Sequence, residues 1–303
     1  MKVVDFSDFE AISPIFKGEA GHRRAERIMK MLSIDKVNNV HEKFFNYSGS
    51  EFTSRLLEDI GVDYMIGNAE RLKDLPPGAF VTISNHPYGG LDGIISIDLI
   101  ARIRPDYKFI VNEILSRILT LRDNFLTVTP VGNKKHGITS ASLKGIREAI
   151  LHIKQGHPIG LFPSGAVSDF RLRNMKVRDR KWQKSILHLI HHVNLPVLPM
   201  RFFDMNSPFF YFLGLINWRI RLLRQPSEVF NKKNTLTRIG IGNIISPDEQ
   251  ERYKDPVSLG KFLREAVYTL PMPSEFISSK EMNLTQNKGN NISESTPENY
   301  ENK

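Results

Sequence analysis

One histidine and one aspartate stand close together in Asn85-His86-Pro87-Tyr88-Gly89-Gly90-Leu91-Asp92-Gly93, directly after the apolar run 79–84. An imidazole can hold a proton on one ring nitrogen and accept one on the other, and a neighbouring carboxylate decides which nitrogen does which. A strand that runs into a Pro/Gly-rich turn carrying both groups would fix the imidazole at a sheet edge, where it can pull a proton from a hydroxyl. Taken alone, the same residues also describe a capped helix start in which His86 only satisfies backbone groups.

Three further stretches accompany this segment: Phe162-Pro163-Ser164-Gly165-Ala166-Val167-Ser168, Leu195-Pro196-Val197-Leu198-Pro199, and Thr127-Val128-Thr129-Pro130-Val131-Gly132. In this order, over residues 80–199, the four stretches resemble the sequence blocks of the lysophospholipid/glycerolipid acyltransferase superfamily. Those blocks are Asn-His-x-x-x-x-Asp, a strand ending in a basic residue, Phe-Pro-Glu-Gly-Thr-Arg-Ser, and an apolar strand with Val-Pro-Val-x-Pro. The resemblance implies transfer of a fatty acyl chain from a thioester, on acyl carrier protein or coenzyme A, to a hydroxyl of a lyso-lipid. It maps His86 onto the base and Asp92 onto the carboxylate that holds it, with no covalent acyl-enzyme, metal or cofactor. Asn85 and Gly93 then help shape the turn, whose backbone N–H groups are candidates for the thioester oxyanion, and Asn85, Gly89 and Gly90 count as substrate-binding residues. Phe162, Pro163, Ser164, Gly165 and Lys134 count as substrate-binding too, and Arg171 and Arg173 of the basic stretch that follows could replace the arginine missing from the third block.

The chain departs from the family pattern in three places. Five residues separate His86 from Asp92 where the family has four; on an ideal helix that offset is about 600°, so the pair would not share a face. Gly89-Gly90 must therefore absorb a residue as a loop or bulge. Ser164, Ala166 and Val167 replace Glu, Thr and Arg of the third block, and a valine cannot make the Arg contact to an acceptor phosphate. The strand that should end in a basic residue gives Pro130-Val131-Gly132 instead, with Lys134 later. These changes resemble the haemolysin-like branch that adds the ester-linked chain to ornithine or glycine lipids, where the acceptor hydroxyl belongs to a 3-hydroxy fatty acyl amide. Lysophosphatidic acid acylation is the in-class alternative, and a non-catalytic basic protein binding membranes or nucleic acid is the one outside it.

Positioning such a site requires alternating strands and helices. Short strands are expected near 61–67, 80–84, 107–111, 126–129, 158–162, 195–200 and 236–241, and helices over 93–103, 140–154 and 181–193. That alternation predicts an α/β domain, 61–277, built on a mixed, mainly parallel sheet covered by helices. Two or three helices form an N-terminal segment, 1–60, and the polar stretch 278–303 reads as a disordered tail.

The 303 residues contain no cysteine, which excludes disulfides, thiolate metal sites and cysteine nucleophiles. The first residues lack an apolar core of signal-peptide length, and secretion is not expected. Net charge is +9, and because 280–303 carries three Lys against four Glu, the remainder carries +10. Seven basic residues against two acidic ones give +5 between Asp169 and Lys184, a surface for acidic carrier protein or anionic lipid. Residues 209–224 interleave aromatics and leucines with arginine, the pattern of a helix lying at a bilayer interface. A peripheral protein on the cytoplasmic face of the inner membrane follows as the expectation. His188 and His192 lack a third ligand and a His-Glu-x-x-His frame, so no metal is assigned, and no nucleic-acid reading motif is present.

Overall fold

The computed structural model describes residues 2–128 and 140–282. Four helices open the chain: α1 (Phe6–Ile12), α2 (Gly18–Met31), α3 (Ile34–Lys43) and α4 (Gly49–Asp59). There follow β1 (Met65–Gly67), β2 (Val81–Ser84), α5 (Gly90–Ala101), β3 (Lys108–Asn112) and β4 (Phe125–Val128). Next come α6 (Ser140–Lys154), β5 (Ile159–Leu161) and a small hairpin of β6 (Asp169–Arg171) and β7 (Lys176–Arg178). Helix α7 (Lys184–Val193) leads into β8 (Val197–Phe202), then α8 (Pro208–Ile216), α9 (Trp218–Leu223) and α10 (Gln225–Phe230). Strand β9 (Arg238–Ile241), α11 (Pro247–Gln250), α12 (Pro256–Tyr268) and β10 (Phe276–Ser278) complete it.

Eight strands make one sheet in the order β10-β1-β9-β8-β2-β5-β3-β4. Five of its pairings are parallel, β1 with β9, β2 with β5 and β8, and β3 with β4 and β5; β8–β9 and β1–β10 are antiparallel. The α/β architecture with a mixed, mainly parallel sheet is as expected from the alternation. Central strand β2 is buried on both faces, as parallel sheets covered by helices require. Val81 and Ile83 enter one buried cluster with Trp182, Leu187 and Leu263, whereas Leu198, Met200 and Phe202 of neighbouring β8 enter the other with Ile95 and Phe109. The two-residue alternation of strand side chains thus supplies both halves of the core.

Two expectations at the chain ends change. The first 60 residues are helical as expected but hold four α-helices rather than two or three, and Val40, Phe52, Leu56 and Ile60 share a buried cluster with Leu91 and Ile95 of α5. Only Phe9, Ala25 and Met29 form a small core of their own. At the other end, Ser278 pairs with Met65 in the sheet and Ser279 is buried, so the expected tail boundary falls inside β10. Residues 283–303 lie outside the described residues.

Candidate active site

His86 owes its position to the parallel register of the central strands. Ile83 of β2 lies opposite Leu161 of β5 and Ser84 opposite Met200 of β8, so the turns after all three strands emerge at one edge. Crevices at the carboxyl ends of parallel strands are where such sheets place ligands. Asn85 locks the exit of β2: its Nδ2 donates to the Phe202 carbonyl and its Oδ1 accepts from the Phe202 N–H, both at 2.8 Å. Expected to bind substrate, the Asn85 side chain is buried and spends its polar atoms on β8.

The extra residue between His86 and Asp92 does not separate them. Helix α5 begins only at Gly90, so His86 stands in the turn before it and the helical offset does not apply. Gly89 makes the bend with a φ of 82°, and a Cβ there would run into the Gln225 amide. Asp92, at the third position of α5, is fully buried. Its Oδ2 accepts from His86 Nδ1 at 2.8 Å and from the Tyr88 and Gly89 N–H groups at 2.9 Å each. Burial raises the Asp92 carboxyl above its ordinary value, with the imidazole and the two N–H groups pulling it back.

A carboxylate acceptor on Nδ1 puts the ring proton there and leaves the Nε2 lone pair free. Nε2 bonds to no described residue, and the His86 side chain is 14% exposed. Phe162, at the end of β5, stacks on the imidazole with ring centroids 3.7 Å apart and planes 17° from parallel. Expected among the substrate-binding residues, Phe162 forms in the structure a plate that sets the plane of the ring. A carboxylate, an oriented imidazole and an open Nε2 can take a proton from a hydroxyl and return it to a leaving group.

The main chain of His86 is held at both ends. Its carbonyl accepts from the Ser168 N–H at 2.8 Å, and its N–H donates to Asp179 Oδ1 at 3.1 Å. Asp179 also accepts from the Ser168 hydroxyl at 2.6 Å and is fully buried. Sequence reasoning missed Asp179. The available signal was an acid isolated between Arg178 and Arg180 inside a basic stretch, where an unburied carboxylate would simply weaken the surface field.

Other expected site residues divide. Gly165, with a φ of 62°, turns the chain under Gln183, and its N–H donates to the Phe162 carbonyl. Pro163 is buried and its carbonyl accepts from the Gln183 N–H. The Ser164 hydroxyl donates to the Ala166 carbonyl at 2.7 Å, so it closes the turn. Arg171 binds the Asp179 carbonyl at 2.9 Å, next to the clamp on His86, while Arg173 is exposed at the end of the β6–β7 hairpin. Lys134 lies outside the described residues. The backbone donors proposed for an oxyanion are occupied: the N–H groups of His86, Tyr88, Gly89 and Gly90 go to Asp179, Asp92, Asp92 and Gln225. These four donors are already spent within the protein and are not free for a developing charge.

Helices α8 and α9 lie against this turn. Val167 packs with buried Phe210 and Tyr211 of α8, so the position of the family's arginine carries an apolar plug. Tyr211 donates from its hydroxyl to the Pro87 carbonyl at 2.7 Å. The outward face shows Phe209, Phe212, Ile216, Trp218, Ile220 and Leu223, each 46% to 63% exposed, with Arg219 and Arg224 among them. No helix among the described residues is long and apolar enough to cross a membrane.

Comparison with known proteins gives the same picture. The lyso-glycine lipid O-acyltransferase of Bacteroides thetaiotaomicron is 23% identical over 250 residues, 80% of this chain and 88% of its own. The protein of that name from Phocaeicola vulgatus is 24% identical over 243 residues, 78% of this chain and 83% of its own. The crystal structure of the 1-acyl-sn-glycerophosphate acyltransferase PlsC from Thermotoga maritima covers 73% of this chain and 75% of its own, at 18% identity and a TM-score of 0.47. The acyltransferase family model matches residues 22–271, from inside α2 to just past α12. With every element that meets at His86 inside that match, the chain belongs to the acyltransferase family.

Proposed function

We propose that this protein transfers a fatty acyl chain from a thioester to a hydroxyl of a lyso-aminolipid, with His86 as general base and Asp92 as its carboxylate partner. The observation that carries the reading is the 2.8 Å contact from Nδ1 to Asp92 with Nε2 left open. His86 Nε2 removes the proton of the acceptor hydroxyl as its oxygen attacks the thioester carbonyl. The tetrahedral adduct collapses by breaking the C–S bond, and the imidazolium hands the same proton to the departing sulfur. Asp92 fixes the starting tautomer and stabilises the imidazolium.

An amide-linked acceptor rather than a phosphate-bearing one is supported by buried Val167 at the position of the family's arginine and by the names of both bacterial relatives. For the donor, the basic β6–β7 hairpin favours acyl carrier protein over coenzyme A, since an acidic partner is drawn to clustered arginines. The apolar and arginine-bearing outward face of α8–α9 supports a peripheral position on an anionic bilayer, at the cytoplasmic face of the inner membrane.

The test is transfer of a labelled acyl chain by the purified protein to N-(3-hydroxyacyl)glycine, with lysophosphatidic acid in a parallel reaction. The glycine acceptor should become esterified, and His86→Ala should lower the rate about 10³-fold. Esterification only of lysophosphatidic acid would replace the acceptor assignment, and undiminished transfer by His86→Ala would remove the base.

A further inference from the structure

Beside the catalytic turn, between the β6–β7 hairpin and α8–α9, lies an open cleft of about 610 Å³, a volume in the range of small-molecule sites. His86 and Phe162 do not line it. Its most buried lining residues are Tyr211 and Arg221, 4% and 2% exposed, with half-buried Asp169 beside them. Its outer lining includes Leu215, Ile216 and Trp218, which continue into the exposed apolar face of α8–α9. A polar interior with an apolar lip suits the headgroup end of an amphiphile.

The charge of the lining identifies the headgroup. Arg180 and Arg221 share one carboxylate, Asp169, at 2.6 and 2.8 Å. Arg219 stands over the Trp218 ring at 5.4 Å and makes no ion pair with any described residue. Three guanidinium groups against one carboxylate leave a net +2 around the cleft, with Arg219 at its exposed rim, and arginine is the residue best shaped to take a planar carboxylate through two parallel bonds.

The recess is also tied to the reacting centre. Arg221 donates to the Ser168 carbonyl at 3.1 Å, and the Ser168 N–H in turn holds the His86 carbonyl. Tyr211 reaches the Pro87 carbonyl. We infer that this cleft binds the carboxylate headgroup of the acyl acceptor, with Arg219 as the group that pairs with it, and so selects acidic lyso-lipids. The inference deepens the lyso-aminolipid reading above and rests on it.

Binding of N-dodecanoylglycine and of its carboxamide to the full-length protein, measured by calorimetry below the micelle concentration, tests it. The acid should bind about tenfold more tightly than the amide, a difference of about 1.4 kcal/mol. Arg219→Glu should abolish that preference, and Arg219→Lys should restore part of it. Equal binding of acid and amide, or a preference untouched by Arg219→Glu, overturns the assignment. So does a loss confined to partition onto phosphatidylglycerol vesicles, which would make Arg219 a bilayer contact. Arg219-dependent binding of the acid without any acyl transfer would leave the cleft intact and remove the reaction; transfer without acid selectivity would do the reverse.

Discussion

Helix α5 carries two fully buried aspartates, Asp92 and Asp98, whose surroundings differ in kind. Asp98 is a closed hub. It accepts from Thr53, Ser54 and Tyr64 and pairs with Arg102 at 2.7 Å, tying α4 and the residue before β1 to the helix. Asp92 has its three donors on a single oxygen, and its Oδ1 bonds to no group among the described residues. Its cationic partner is an imidazole that can gain and lose a proton, where that of Asp98 is a guanidinium that keeps its charge. A carboxylate saturated by fixed donors holds a fold together; one left partly open beside a titratable ring can respond to a reaction.

Substitutions at the two positions should therefore fail in different assays. Asp92→Asn should lower acyl transfer about 10³-fold to 10⁴-fold while the protein stays folded, because the imidazole loses the partner that sets its tautomer. Asp98→Ala should instead cost about 3–5 kcal/mol in denaturant unfolding by leaving Arg102 without its buried carboxylate, and its transfer should fall only with the folded fraction. If Asp98→Ala kills transfer in a fully folded protein, the division between the two is wrong.

Asp179 belongs with neither and sharpens the contrast. Its carboxylate clamps the His86 main chain and not the ring, so Asp179→Ala should cost about 1–3 kcal/mol and also slow transfer about tenfold. Unfolding curves and rates on the same preparation separate the two losses.

The pH dependence of stability gives a smaller and signed effect. The folded-state pKa of Asp92 is raised above its ordinary 3.8, so the folded protein holds this proton more tightly than the unfolded chain. Asp92 therefore contributes a loss of stability that begins near the unfolded value and is complete once pH has passed the folded one. Asp92→Asn has no such loss. Its stability relative to the parent should be higher near pH 7 than near pH 3, and a gap that narrows upward would reverse the assignment of burial as the cause. Smallest of all, Tyr64→Phe removes one of the four donors on Asp98 and should cost about 1 kcal/mol with no change in rate.

The sequence carried the His86–Asp92 pair because both residues sit in one short segment, and the block pattern pointed to them together. The bend at Gly89 was legible too, as the place where the extra residue is taken up; the start of α5, at Gly90 rather than 93, was not, since it depends on Gly89, Gln225 and the packing of α10 rather than on the segment itself. Most strands and helices of the central unit were visible as alternating apolar periods. Strand β10 was not, because three residues at a sheet edge give no period to read. Asp179 was hidden for a different reason: it meets His86 across 93 positions, and only the folding of the hairpin against the turn joins them. Asn85 looked like a ligand for substrate because nothing in the sequence shows that β8 presents the Phe202 main chain to it.

Asp169 and Asp179 stand at the two roots of one small hairpin, the first facing the cleft and the second gripping the backbone of His86. Whatever reshapes that hairpin on its cleft side also tugs on the main chain of His86. Exchanging it for the corresponding loop of a relative should seldom yield a broadened enzyme: new acceptors would arrive together with a loosened imidazole, and useful variants would need compensating changes at Ser168 or Phe162 before speed returned.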